Sequence, residues 1–210
     1  MTAASKPLSQ AERTALSDSR MIDAAICLIV ERGPEKTTLK ALGEVSGYSR
    51  GLVTYRFGSK AGLFKAMIKA VSERWLAKLE KAIRGKQGLD AILATTDAYY
   101  RFVSSSPKDI RAMQILFHKA VEPGSELADI VRRIFRAQRD QLAAWARAAQ
   151  REKVVAADVD PEVFAARFCA YTSGITWSWM LKPRDVDWAG AQQEFKRMVL
   201  AELTTPKGQE

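Results

Sequence analysis

Thr38-Leu-Lys-Ala-Leu-Gly-Glu-Val-Ser-Gly-Tyr-Ser-Arg-Gly-Leu-Val-Thr-Tyr-Arg-Phe57 is the stretch on which the reading of the whole chain turns. Apolar residues recur at helical spacing on both sides of Gly47: Leu39, Leu42 and Val45 before it, Leu52, Val53 and Phe57 after it. Thr37-Thr38 supplies a cap for the first segment and Ser49 caps the second, because a hydroxyl just ahead of a helix accepts from its unpaired amides. Two short helices about a glycine turn, carried on a platform helix, form the arrangement that lays the second helix in the DNA major groove while the first crosses the backbone. The six apolar side chains would fix the angle between the two. Left outward on the second helix are Ser49, Arg50, Gly51, Thr54 and Arg56, all short or cationic. Small residues let a helix enter the groove, and Arg can pair bidentately with guanine. A helical hairpin inside an ordinary bundle has the same outline, so shape alone leaves both readings open.

Outward from this stretch, nearly every segment repeats at helical period and strand alternation is scarce. The fold class is all-α. Residues 1–17 are polar and read as a flexible arm. A platform helix runs from about Asp18 to Arg32, with Ile22, Ala25, Ile26 and Ile29 on its buried stripe, and Gly33-Pro34 stops it. Gly58-Ser59 breaks the second short helix and starts a long one, about 60–84. Its stripe is Leu63, Phe64, Met67, Ile68, Val71, Trp75 and Leu79. Gly85-Lys-Gln-Gly88 punctuates the chain, and five more helices follow at about 89–105, 108–121, 125–152, 161–182 and 188–203.

Charge separates the two parts. The chain has 33 Lys+Arg against 24 Asp+Glu, a formal charge of +9. Residues 1–85 hold 15 of the bases and 8 of the acids, so most of the excess lies beside the helix pair. A basic face of this kind suits a polyanion, although it can also be plain solubility charge. The longest clean apolar run, Ala24–Val30, is far short of the roughly 20 residues that span a bilayer. The polar N-terminus has no apolar signal segment. Cys27 and Cys169 sit within helical patterns and read as buried reduced thiols. These features point to the cytoplasm, with no membrane partner.

In order and spacing, Ala24-Ala25, Glu31-Arg32-Gly33, Thr37-Thr38, Leu42, Gly47-Tyr48-Ser49, Gly51, Tyr55, Phe57, Ser59-Lys60 and Leu63-Phe64 resemble the tetracycline-repressor (TetR) family. The match covers about 18–68. The resemblance implies a helix-turn-helix DNA-binding domain over 18–68, with the motif at about 38–57. It implies a ligand-binding and dimerisation domain over 69–210. On it, Thr38, Ser49, Arg50, Gly51, Leu52, Thr54, Tyr55, Arg56 and Lys60 are expected to meet DNA. Arg50, near the start of the reading helix, should read a base, while Arg56 and Lys60 should meet the backbone. One departure stands out. Where the family usually has Tyr-Tyr-His before the Phe, this chain has Thr54-Tyr55-Arg56. Thr54 reaches less far toward a phosphate than Tyr, and Arg56 adds a permanent charge.

The resemblance further implies a homodimer on a roughly palindromic operator, acting as a repressor that a small molecule releases. Candidates to line the effector pocket are Tyr99, Phe102, Met113, Phe117, His118, Phe135 and Trp177. With no acidic cluster or basic clamp among them, an apolar or aromatic effector is expected. The segment 161–182 is apolar around most of its circumference, which calls for burial on both sides. Phe164, Phe168, Tyr171, Ile175 and Trp179, with Phe195 and Met198 of the last helix, are the expected dimer interface. Two rival readings remain. Gly47-Tyr-Ser49-Arg-Gly51 fits the loose pattern of a hydrolase nucleophile elbow, which needs a strand ahead of the serine and a His downstream. A helical ligand-binding protein without DNA binding is the other, and Thr54 is its support. The single His118 and two distant Cys give no metal-ligand spacing, and no cofactor is expected.

Overall fold

A computed structural model describes residues 9–182 and 184–204. Among these the regular elements are all helical: α1 (Gln10–Lys36), α2 (Leu39–Ser46), α3 (Arg50–Phe57), α4 (Lys60–Ile83), α5 (Gly88–Ser105), α6 (Pro107–Ala120), α7 (Ala128–Arg151), α8 (Pro161–Leu181) and α9 (Trp188–Thr204).

Helix α1 begins well before the Asp18 that periodicity suggests. Ser9 and Glu12 form a capping box: the Ser9 hydroxyl accepts from the Glu12 amide at 3.2 Å, and the Ser9 amide donates to the Glu12 carboxylate at 2.7 Å. Two orphan amides are satisfied reciprocally, which is enough to start a helix on polar residues. Residues 10–17, expected in a flexible arm, are therefore helical, and 1–8 lie outside the described residues. At the other end Gly33, with φ 77° and ψ 169°, interrupts the ladder where the Gly-Pro pair predicts.

The chain divides into two units. The first comprises 9–71 and 111–127. Its core is the inner stripe of α1 (Met21, Ile22, Ala25, Ile26, Ile29), capped by Leu42 of α2 and Val53 of α3 and continued by Leu63, Phe64, Met67 and Ile68 of α4. Each fully buried Leu, Ile or Phe contributes about 1.5–3 kcal/mol. Gly47 ends α2 in the left-handed region (φ 75°), which a glycine adopts without a Cβ penalty, and its amide donates to the Gly43 carbonyl.

The second unit comprises 72–110 and 128–204. Ile92 of α5, Leu142 and Ala146 of α7, Phe164, Ala165 and Phe168 of α8, and Phe195, Val199 and Leu203 of α9 make its core. Aromatic rings lock α9 onto α8. Phe195 stacks on Tyr171 at 4.2 Å between centroids and meets Phe168 at 4.9 Å, and Trp188 lies 5.4 Å from Trp179.

This packing takes up part of the expected dimer face within one chain. Phe164, Phe168 and Phe195 are buried within one chain, and Tyr171, Ile175 and Trp179 are half-covered by it. Of the expected residues Met198 faces out, 47% exposed. The stripe left outward on α8 is the other one: Val163, Gly174, Trp177 and Leu181. Sequence period shows two apolar stripes on α8 but not which of them α9 will take. No helix among the described residues is long and apolar enough to cross a membrane.

Candidate nucleic-acid interface and internal cavity

Helix α3 has one inner residue and a mostly open surface. Val53 is fully buried and Leu52 half-buried, whereas Ser49, Arg50, Gly51, Thr54 and Tyr55 are exposed. Tyr55 is 81% exposed, unusual for a side chain with so much apolar surface. Ser49 caps the helix, its hydroxyl accepting from the Leu52 amide at 3.2 Å. Thr38 caps α2 in the same way, accepting from the Ala41 amide at 3.1 Å. Both hydroxyls lie at helix N-termini, where amides and helix dipole favour an anion. Arg50 follows Ser49 directly and forms no ion pair among the described residues.

The cations at the far end are placed differently. The Arg56 guanidinium lies 3.3 Å from an Asp18 carboxylate oxygen and donates to the Thr14 hydroxyl at 3.3 Å. Lys60, in the first turn of α4, donates to the Glu35 carbonyl at 3.2 Å and to its carboxylate at 3.3 Å. The other Glu35 oxygen accepts from Lys119 at 2.9 Å. These two ammonium groups, Lys119 the more strongly, hold the Glu35 carboxyl below the ordinary range. Neither Asp18 nor Glu35 stands out in the sequence. Asp18 only opens the periodic segment, and Glu35 follows the Gly33-Pro34 stop.

Ser49 also occupies the position a hydrolase elbow would give its nucleophile. Helix α2 stands where that motif requires a strand, and the serine oxygen is used as a cap.

The second unit holds a cavity of about 70 Å³. Its walls are Trp75 and Leu79 of α4, Thr95 and Tyr99 of α5, Gln138, Gln141, Leu142 and Trp145 of α7, and Phe168, Cys169 and Thr172 of α8. The Tyr99 hydroxyl shares a 2.9 Å hydrogen bond with Thr176, and burial pushes its phenol above the ordinary value, so it stays neutral. Burial likewise raises the Cys169 thiol. The wall therefore offers two indoles, a phenol, two carboxamides and a few hydroxyls, and no ionised group.

Tyr99 is the one expected pocket residue that lines this cavity. Phe102 is buried in packing instead, 5.5 Å from Trp75 between ring centroids and under the Lys78 ammonium at 4.8 Å. Phe135 is half-buried on α7 outside the wall, and Trp177 lies on the outer side of α8, 42% exposed. Met113, Phe117 and His118 belong to the first unit, where Met113 is buried and His118 exposed. Sequence reading missed Trp75, Trp145 and the Gln138/Gln141 pair. The i, i+3 spacing of the two glutamines puts them on one helix face, but nothing in the sequence says that the face turns inward.

A helix pair with an open, cation-bearing second helix in one unit and a neutral cavity enclosed by helices in the other define the class: a helix-turn-helix transcriptional regulator. Residues 21–67 match the model of the bacterial regulatory proteins of the tetR family, and 109–204 match that of the BetI-type transcriptional repressor C-terminal region. Together the matches take in more than half of the chain, which belongs to the TetR family and is a DNA-binding transcriptional regulator. It is similar to the regulator TtgR of Pseudomonas putida, 24% identical over 183 residues, covering 84% of this chain and 86% of TtgR. It is also similar to AcrR of Shigella flexneri, 23% identical with 86% of each chain covered. Among solved structures, SmeT in its triclosan complex shares the fold at a TM-score of 0.78 and 20% identity, over 93% of this chain and 99% of SmeT. SmeT is the repressor of the Stenotrophomonas maltophilia multidrug efflux pump SmeDEF. These relatives are transcription regulators, not enzymes.

Proposed function

We propose that the chain is a cytoplasmic homodimeric repressor that reads a roughly palindromic operator through α3 and leaves it when a small neutral aromatic molecule occupies the cavity of the second unit. The observation that carries the DNA reading is the α3 surface. Arg50, Gly51, Thr54 and Tyr55 are exposed together on a helix anchored by Val53. Arg50 meets base edges, while Thr38, Ser49, Tyr55 and Lys60 serve the backbone. The match to a repressor C-terminal model supports repression. Two-fold pairing is supported by the outward apolar face of α8 and α9, with Trp177, Leu181 and Met198 all more than 40% exposed. An exposed apolar patch of this kind marks an interface. The effector class follows from the cavity wall, which stacks flat rings and hydrogen-bonds neutral polar groups but pays no charge. That SmeT binds triclosan fits this class. Release is a coupling free energy between the two sites: the effector prefers a conformer in which the two reading heads no longer match the operator.

Selection of bound duplexes from a random DNA pool tests the DNA reading. The expected product is one sequence family with two inverted half-sites about one helical turn apart. A pool that stays random overturns it. Quenching of the cavity indoles tests the effector class. Small single-ring neutral phenols should quench Trp75 and Trp145 and weaken DNA binding, whereas carboxylates and quaternary amines should do neither.

A further inference from the structure

We propose that Arg56 positions the reading helix and is not a phosphate contact. It ties the last turn of α3 to the first three turns of α1 through Asp18 and Thr14. The inference rests on the DNA reading above and revises the role that the family resemblance implies for this residue.

Three observations carry it. First, Arg56 Nε and Asp18 Oδ1 lie 3.3 Å apart, both shielded from solvent and too misaligned for a hydrogen bond. The pair is held by charge, in a spot where losing one partner strands the other away from water. Second, the other arm of the guanidinium reaches Thr14, one helical turn back along α1. A planar fork can engage two such groups at once, and a lysine ammonium cannot reproduce that geometry. Third, the segment of α1 that receives Arg56 has little else to hold it. Its first buried residue is Met21, and Leu16 is 42% exposed. The capping box starts this segment, and Arg56 fastens it. Where the family usually has His, the present chain thus has a longer residue with an acid and a hydroxyl arranged to receive it. To reach a phosphate, the guanidinium would have to give up both.

The test uses the full chain and the duplex that the wild-type protein selects from a random pool. Asp18→Asn and Arg56→Gln should each lower affinity about tenfold. That is less than for a fully buried pair, because the two side chains are 39% and 26% exposed. The double variant should be no weaker than either single, since both remove the same contact. Thr14→Val, which leaves both charges in place, should cost about threefold. Arg56→Lys should lose as much as Arg56→Gln, and none of the five variants should change the salt dependence. A phosphate contact gives the opposite pattern. Arg56→Gln would then cut the salt slope by about 1.8 per dimer, Arg56→Lys would bind normally, and Asp18→Asn would bind more tightly. Any of these overturns the proposal. Amide exchange in the DNA-free protein decides the pair independently. Asp18→Asn should speed exchange in α3 and in residues 10–18 together, and unchanged exchange there also overturns it. If the wild-type protein enriches no duplex, it is the DNA reading that fails, while the exchange measurement still settles Arg56.

Discussion

The two ends of α3 carry the same charge and do different work. At the start, Arg50 stands exposed beside the Ser49 cap with no ion pair among the described residues. At the end, Arg56 is engaged by Asp18 and Thr14, and just beyond it Lys60 is engaged by Glu35, which Lys119 also holds. An uncommitted guanidinium can present its whole fork to a guanine and gives up only rotamer freedom. A committed one must first abandon a carboxylate. The difference is set by neighbouring acids from other helices. Counting cations on a reading helix therefore overstates the number that meet DNA. The net charge of +9 still draws the protein toward DNA, because long-range attraction depends on the sum and not on the pairing.

The largest way to break this comparison is at Arg50. Arg50→Ala should cost about 1–3 kcal/mol per half-site and relax preference at one base pair, a G by the geometry of the fork. Titrations on the selected duplex and its single-base variants check this. Equal loss on every variant would move Arg50 into the backbone-positioning set and erase the contrast between the two ends. Next in size is the corner that holds the far end. A Cβ on Gly62 would lie 2.0 Å from the Phe57 carbonyl oxygen, so α4 can start this close to α3 only with glycine there. Gly62→Ala should destabilise the protein by about 1–3 kcal/mol, read from the denaturation midpoint, because backbone has to move. It should also weaken DNA binding without altering base preference, since Arg50 sits at the other end of α3.

The sequence and the structure agree best where local chemistry is decisive. Thr38, Gly47 and Ser49 cap and turn the helix pair as residue type alone requires, and the buried stripe of α1 follows its 3.6-residue period. The start of α1 is legible too, in the Ser9–Glu12 spacing, but Leu16 is the one large apolar residue between Ser9 and Met21, too few to show a helical period. Other features need tertiary placement. Arg56 and Lys60 look like free surface cations until α1 brings Asp18 and Thr14 from its N-terminal part and Glu35 from its last turn. The apolar circumference of α8 contains both a core face and an outer face, and which is which depends on where Phe195 docks. Phe102 and Trp177 suit a pocket by residue type and lie off the wall of this cavity. A pocket is a concavity, however, and periodicity reports only which side of a helix is apolar.

The smallest expected effect concerns Lys60, and it decides to which end of the comparison that residue belongs. Its partner Glu35 is exposed, so the bridge is weak, screened by salt and flexible. Lys119 and Lys60 hold the Glu35 carboxyl below the ordinary carboxylate range. A depressed carboxylate stabilises the fold above its ordinary value and loses that contribution as pH falls through the depressed one. From about pH 5 to 8 the bridge is intact and Glu35 gives stability no pH dependence. Glu35→Gln should therefore lower the melting temperature slightly at neutral pH and low salt, and not at all in acid below the depressed value or at about 1 M salt. DNA binding should move the other way. With the carboxylate gone, Lys60 keeps only the neutral backbone carbonyl of residue 35 and the face of Phe64, and turns readily to a phosphate. The variant should bind the selected duplex more tightly and with a salt slope steeper by up to about two per dimer. If Glu35→Gln instead weakens binding at unchanged slope, as Asp18→Asn is expected to do, Lys60 is a positioning residue like Arg56, and Arg50 is left as the only cation along this helix and its junction with α4 that meets DNA.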